Sequence, residues 1–313
     1  MTIECLRKLP SAWWDFMRLY FSYRPDIIYM ANHHEVILLF PLLIWLRRKV
    51  ICHMHDPPPP IGFQKISFAC WRRAVGSFIF VSKSSRERLG QLGALGKADV
   101  IIHNGVEIAP LQQPRCRKNN FCSMFGWPSD SVIFGITGQI GEQKGHEDFV
   151  EAARLVHQSS PKARFVIGGR GRQDFVDRIR ALIVERGMES YVGFCGWLPR
   201  SIEFYEGIDV LVLASRHDEG FGLVVAEAGE RAVTTIATRS GGAVEILLDG
   251  ETGIFVDKNS PQSIADAITR LASDAPLRNR MGLRAREIVE MKFNLRIQTD
   301  EFAHFLYQSA EPY

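Results

Sequence analysis

The sequence predicts an α/β protein built on parallel sheets and divided into two domains. Short apolar runs alternate with helical patterns along the whole chain, and this alternation implies parallel strands joined by crossover helices. A polar stretch without periodicity, residues 110–120, separates the pattern into two parts. The length, 313 residues, suits two domains of ordinary size.

In the first part, residues 4–23 carry apolar and aromatic residues at helical spacings, with a break expected at Pro10. Residues 25–30 read as a short buried strand. A helix follows over 35–46, kinked or broken at Pro41. Residues 49–53 form the next strand and run into His55, Asp56 and the prolines 57–60, which favour a stiff extended loop. A helix is expected over 64–75, a strand over 77–82, a helix over 84–92 and a strand over 100–103 that ends at the turn Asn104, Gly105. His55 lies at the carboxyl end of a strand, where ligands sit in doubly wound sheets. It is a candidate functional residue beside the alternative of a polar loop histidine, with His53 as its neighbour.

The second part opens with a strand over 132–137 and a loop over 138–145 that holds Gly138, Gln139, Lys144 and Gly145. A helix follows over 147–157. Lys144 sits beside glycine after the first strand, where a mobile point charge suits a phosphate. Residues 164–171 read as a strand and glycine turn. Position 174 is Asp, so G-x-G-x-x-G is incomplete and a packing turn is the better reading. Residues 191–196 form a short strand ending at Gly196. Further strands are expected over 210–214 and 235–238, and helices over 263–273, 277–291 and 295–307.

Composition narrows the class. Hydrophobic residues make up 46% and charged residues 23% of the chain, as in a soluble globular protein. The six cysteines show no C-x2-C pairing and no zinc spacing, which suggests reduced thiols in a cytosolic setting. No signal-peptide layout opens the chain. The longest apolar run, residues 36–46, has 11 residues and is too short to span a bilayer. The net charge of +3 is uneven: residues 1–110 hold 14 Lys or Arg against 8 Asp or Glu, giving +6, and the remainder holds 24 against 27, giving −3. Arg7, Lys8, Trp13, Trp14, Arg18, Tyr20, Tyr23 and Arg24 mix basic and aromatic residues, which suits an anionic membrane surface or a solvated helix face with a core stripe. No recognition motif for nucleic acid accompanies the charge.

The stretch from Ser215 to Glu227 holds the clearest chemistry. An apolar strand leads into a polar loop with Glu219, Gly220, Phe221 and Gly222, and a helical pattern starts at Leu223. The first N–H groups of a helix have no partner, and its dipole favours an anion there. Gly220 and Gly222 remove side chains, so a ligand can approach the main chain. Glu219 and Glu227 bracket the helix start, with Glu227 roughly 6 Å along the axis from Leu223. Carboxylates accept from hydroxyls, so the pattern fits a phosphate flanked by hydroxyl-bearing groups, as in a nucleotide sugar. An ordinary βα turn with surface glutamates has the same spacing.

Residues 219–228, Glu-Gly-Phe-Gly-Leu-Val-Val-Ala-Glu-Ala, resemble the E-x7-E signature of retaining, nucleotide-sugar-dependent glycosyltransferases of family 4. Residues 138–145 resemble that family's phosphate-binding loop, 192–197 its base-contacting turn, and 240–246 and 249–253 the segments after the signature helix. The resemblance runs nearly unbroken from about residue 121 to the end. It implies the GT-B fold: two Rossmann-like domains facing a cleft. The domains would be residues 1–118, on the acceptor side; 119–294, binding the donor; and 295–313, a helix crossing back to the first domain.

Three departures stand out. Family members usually open with a strand, a glycine-rich loop and a helix, and Met1 begins after these, so the first domain reads as shortened. Gln139 stands where the family usually has arginine, which leads us to expect weaker diphosphate affinity or a cation elsewhere. Residues 230–234, Glu-Arg-Ala-Val-Thr, replace a small-residue stretch with proline.

By this resemblance the catalytic residues are Glu219, on donor-sugar hydroxyls, together with His55 and Lys144. The donor would be bound by Gly138, Gln139, Lys144, Gly196, Gly220, Phe221, Gly222, Leu223 and Glu227, with Glu227 on the ribose. Gly241 and Gly242 would offer main-chain donors near the sugar. No Asp-x-Asp motif is present, so no metal and no other cofactor is expected. The partners implied are a nucleotide sugar and a glycan or lipid-linked acceptor in surface polysaccharide or glycolipid synthesis, with the protein cytoplasmic or at the inner membrane face. Two other readings are a nucleotide-sugar-binding scaffold without turnover and a nucleotide-sugar epimerase.

Overall fold

Residues 3–31, 33–55, 71–91, 93, 95–96, 98–111 and 119–310 are described by the structure, a computed structural model. The prolines 57–60, most of the helix expected at 64–75, and 112–118 of the expected linker lie outside the described residues. The chain forms two compact units. One comprises Met1–His103 with Gln298–Tyr313, and the other Asn104–Ile297.

The first unit opens with helix α1 (Ile3–Tyr23), which runs unbroken through Pro10. A proline removes one ladder hydrogen bond, and twenty other residues hold the remaining turns. Strand β1 (Ile28–Met30) leads to α2 (His33–Leu43), which contains Pro41, and a 3-10 turn, Ile44–Lys49. Then come β2 (Val50–Met54), β3 (Ser77–Phe80), α3 (Lys83–Gln91) and β4 (Val100–Ile101). The four strands form one parallel sheet in the order β1-β2-β3-β4. Every residue of β2 is buried, as expected for a parallel strand covered on both faces. Phe302, Phe305 and Leu306 of the last helix, Leu295–Ala310, pack against Ile51, Ile79 and Ile102 on one face. Phe16, Tyr20, Leu39 and Phe40 pack with the core on the other strand positions.

The second unit holds α4 (Asn119–Phe125), so the end of the expected linker is helical. Next come β5 (Val132–Ile140), α5 (His146–Val156), β6 (Ala163–Gly171), α6 (Gln173–Glu185), β7 (Val192–Gly196) and α7 (Ser201–Gly207). They are followed by β8 (Val210–Leu213), α8 (Leu223–Glu230), β9 (Thr234–Thr238), α9 (Ala243–Ile246), β10 (Gly253–Val256), α10 (Pro261–Ser273) and α11 (Ala275–Lys292). Six parallel strands lie in the order β10-β9-β8-β5-β6-β7. The order reverses between β8 and β5, which is the switch point where open α/β sheets bind ligands.

One correction concerns the end of β5. Residues 138–140, expected in a loop, continue the strand, and Gly138, Gln139 and Ile140 pair with Gly169, Arg170 and Gly171 of β6. Gly169 and Gly171 make this pairing possible. A Cβ on either would meet the carbonyl oxygen of Gly138 or Ile140 at 1.9 Å. The core beneath is aromatic: Phe165 lies 5.8 Å from Phe134 and 5.7 Å from Phe149 between ring centroids, within the range of favourable ring pairs.

The unusual stretch 230–234 is also accounted for. Glu230 and Arg231 are buried and ion-paired with each other. Glu230 accepts from the Ala109 amide at 2.9 Å, and Arg231 and Arg286 donate to the Ala109 carbonyl at 3.1 and 2.9 Å. The replacement therefore ties residue 109 to the end of α8, and each buried charge has a partner.

Candidate functional site

Two loops meet at the switch point. The loop after β5 closes with a 3-10 turn, Glu142–Lys144, and Gly145 at φ 69°. A Cβ on Gly145 would meet the Ala214 carbonyl oxygen at 2.1 Å, so glycine lets this loop reach the end of β8. Arg216 then fastens the β8 loop to α5. Its amide donates to the Gln143 carbonyl at 2.9 Å, and its guanidinium contacts Asp148 at 2.8 Å and Glu147 at 2.9 Å. These hydrogen bonds raise the already high pKa of Arg216 further.

With the loops joined, Lys144 Nζ lies 2.7 and 2.8 Å from the two oxygens of Glu219. Ser215, at the end of β8, donates to the same carboxylate. Glu219 is thus held by a cation and a hydroxyl. Behind it, the Gly242 amide donates to the Glu219 carbonyl at 3.0 Å, and a Cβ on Gly241 would meet that oxygen at 1.9 Å. The Gly242 amide, expected as a ligand donor, instead supports the loop. Phe221, expected to bind donor, is buried edge-on against Phe293 at 5.6 Å. Only its main chain could serve a ligand.

Gly222, at φ 94°, starts α8, and no side chain caps that helix. The helix carries Glu227 back toward the sheet. Tyr205 donates to Glu227 Oε2 at 2.6 Å and Ser201 to Oε1 at 3.4 Å. Burial raises the pKa of Glu227 against the opposing effect of these hydroxyls. Burial first, then the charge of Glu227, pushes the Tyr205 phenol well above its ordinary range, so it remains a donor.

Glu227 lines a cavity of about 550 Å³ at the carboxyl ends of β5, β6 and β7. Its floor is largely glycine, with Gly138, Gly169 and Gly196 at the ends of the three strands. A Cβ on Gly138 or Gly196 would meet nothing within 4 Å, so both face open space. Gln139, Arg170, Trp197 and Leu198 line the rest with Tyr205 and Ser201. Lys144 and Glu219 are not among the lining residues. The expected site residues of this unit therefore fall into a cavity group and a switch-point group.

The first unit holds His55 after β2, exposed, with its ring 4.0 Å from that of His53. His53 is buried, and its Nδ1 is 2.6 Å from the Tyr29 hydroxyl. Burial, then the nearby His55, lowers the His53 pKa to about 4.

Sequence reasoning missed Ser201, Tyr205 and Arg170, and it gave no individual role to Ser215, Arg216 or Trp197, which lie within the stretches 215–227 and 192–197 that it singled out. Ser201 and Tyr205 did leave a signal: four residues apart, they share one helix face.

This arrangement, a parallel sheet with a glycine-floored cavity and a carboxylate-bearing helix at its switch point, defines an α/β ligand-binding fold of the GT-B type. Residues 120–288 match the family model described as Glycosyl transferases group 1, and residues 3–109 match Glycosyltransferase Family 4. The chain belongs to the glycosyl transferases group 1 family.

It is 30% identical over 180 residues to a lipopolysaccharide core biosynthesis glycosyltransferase, LpsE, of Rhizobium meliloti, covering 57% of this chain and 51% of that protein. It is 29% identical over 174 residues to a capsular polysaccharide biosynthesis glycosyltransferase, CapM, of Staphylococcus aureus, covering 55% and 45%. The chain spans about half the length of these curated relatives. In fold it is similar to Anabaena Alr3699/HepE, solved in complex with UDP, with TM-score 0.83 and 20% identity over 93% of this chain and 81% of that one. The C-terminal domain of a glycosyl transferase group 1 protein from Francisella tularensis is 29% identical, covering 61% of this chain and all of that one, with TM-score 0.55.

Proposed function

We propose that this protein is a retaining glycosyltransferase that moves a sugar from a nucleoside diphosphate sugar to a hydroxyl of a glycan or lipid-linked acceptor, in surface polysaccharide or glycolipid synthesis. The observation that carries this reading is the placement of Glu227. It sits in the glycine-floored cavity, held by two hydroxyl donors, while Lys144 and Glu219 stand at the switch point. The UDP bound to the fold neighbour and the polysaccharide roles of the relatives support it.

In this proposal Glu227 takes the ribose hydroxyls and Glu219 those of the donor sugar. As the bond from the anomeric carbon to the phosphate oxygen breaks, negative charge grows on the diphosphate. Lys144 and the main-chain N–H groups at Gly222 and Leu223 stabilise that charge, and the role requires no metal ion. The acceptor oxygen forms the new bond on the leaving-group face, and its proton goes to the departing phosphate. His55 is proposed to contact the sugar. The Lys144–Glu219 ion pair adds a requirement: the lysine must turn from the carboxylate toward the phosphate when donor binds.

The exposed Trp14, Tyr23 and Trp45, with exposed Arg18, Arg24 and Arg47, support contact with an anionic membrane surface at the cytoplasmic face. No helix among the described residues is long and apolar enough to cross a membrane. A second reading, a nucleotide-sugar-binding subunit without turnover, draws on the uncharged Gln139. The test is release of nucleoside diphosphate from UDP-, GDP-, ADP- and dTDP-sugars with glycan and lipid-linked acceptors. Acceptor-dependent release supports transfer. Nucleotide binding with no release supports the second reading.

A further inference from the structure

The far side of the cavity holds a pair of side chains that the proposed mechanism does not use. Arg170 lies near the end of β6, and its guanidinium sits 5.2 Å from the centroid of the Trp197 ring, just past β7. Both side chains are exposed, and both line the cavity that contains Glu227. The neighbouring Arg172 is neutralised by Asp174, at 2.5 and 3.1 Å. Among the described residues Arg170 forms no ion pair. Its register partner on β5 is Gln139, so the two side chains share a sheet face and the arginine has an uncharged neighbour.

The position of this pair decides what it would meet. Lys144 and Glu219 stand at the β8 and β5 side of the sheet, and Arg170 and Trp197 at the β6 and β7 side. Two strand spacings separate β5 from β7, about 10 Å. With the diphosphate at Lys144 and the ribose at Glu227, the nucleobase extends toward β6 and β7.

A guanidinium is a planar fork of donors with no acceptor. A base edge that offers a keto oxygen suits it, and guanine presents O6 beside N7, two acceptors in a row. Uracil and thymine present the keto oxygen O4. Adenine and cytosine place an amino donor at the corresponding position, which the fork repels. The Trp197 face holds the guanidinium by a cation–π contact and keeps its fork in one plane.

We propose that Arg170, positioned by Trp197, reads the donor base and selects nucleotides with a keto oxygen (guanine, uracil or thymine) over those with an amino group (adenine or cytosine). This rests on the nucleotide reading of the cavity given above.

The experiment is calorimetry of GDP, UDP, ADP and CDP with the full chain and with Arg170→Ala, Arg170→Lys and Trp197→Ala. Arg170 is exposed and its removal leaves no buried group unpaired, so the variants should fold; circular dichroism checks this. The wild type should bind GDP or UDP about tenfold or more tightly than ADP and CDP. Arg170→Ala should lose most of that preference, weakening the favoured nucleotide about tenfold and shifting ADP and CDP about threefold or less. Arg170→Lys should restore little of the preference, because an ammonium lacks the fork.

An equal loss for all four nucleotides would assign Arg170 to the phosphates and overturn the base assignment. So would an unchanged preference in Arg170→Ala, or a wild-type preference for ADP or CDP. Failure of the wild type to bind any nucleotide would overturn the reading of the cavity itself, and the base assignment with it.

Discussion

Glu219 and Glu227 lie eight positions apart around one helix start, yet the fold gives them opposite surroundings. Glu219 is met by a lysine, and Glu227 by two neutral hydroxyls. The lysine ammonium and the Ser215 hydroxyl hold the Glu219 carboxylate in place. Burial without a cation raises the pKa of Glu227 and leaves a carboxylate suited to accept from hydroxyls. The contrast arises from topology. Glu219 sits in the loop after β8, next to the loop after β5, whereas Glu227 lies a turn into α8, opposite α7. Equal residue types at a regular spacing thus acquire different chemistry from the elements packed against them.

The largest effect should come from breaking the Glu219 side. Glu219→Ala should lower transfer about 100- to 1000-fold, on the order of 3–4 kcal/mol of barrier. Nucleoside diphosphate affinity should change about threefold or less, because Lys144 is then released toward phosphate. Steady-state rates and calorimetry on one preparation separate the two. Next is the platform that brings Lys144 to Glu219. Gly145→Ala forces a Cβ onto the Ala214 carbonyl and a positive φ on a non-glycine residue. Thermal unfolding should show a loss of about 2–4 kcal/mol.

Glu227→Ala should weaken nucleotide binding about tenfold, roughly 1.4 kcal/mol, while leaving the Lys144–Glu219 pair intact. The smallest effect sharpens the electrostatic contrast. Because the pKa of Glu227 is raised on folding, the folded chain holds more protons than the unfolded one in the window above the ordinary carboxylate range. Stability therefore falls as pH rises through that window. Glu227→Gln removes this dependence and keeps an acceptor for Tyr205. It should be more stable than the wild type at neutral pH, with the difference shrinking as pH falls to the ordinary carboxylate range. Denaturant titrations across pH read it directly.

Much of this site could be read from the chain. The strand–loop–helix around residues 210–227, with Leu223 opening the helix, follows from local patterning, and so does the alternation that implies two parallel sheets. What local patterning cannot supply is pairing at a distance. The run Gly138, Gln139, Ile140 reads as a loop because glycine signals turns, but the ladder to residues 169–171 extends β5 through it. Tyr205 and Arg216 act through partners 22 and 68 residues away, so neither role has a local signature. Pro10 misleads in the other direction. Its local cost predicts a break, but α1 continues across it.

The site stands or falls on whether Glu227 holds the ribose. Affinities of UDP and GDP would be compared with those of their 2′-deoxy and 3′-deoxy forms, in the wild type and in Glu227→Ala. Removing a ribose hydroxyl should weaken binding to the wild type about tenfold and have little further effect on Glu227→Ala, so the two changes are not additive. Equal penalties for the missing hydroxyl in both proteins, or none in the wild type, would contradict it and place the ribose elsewhere.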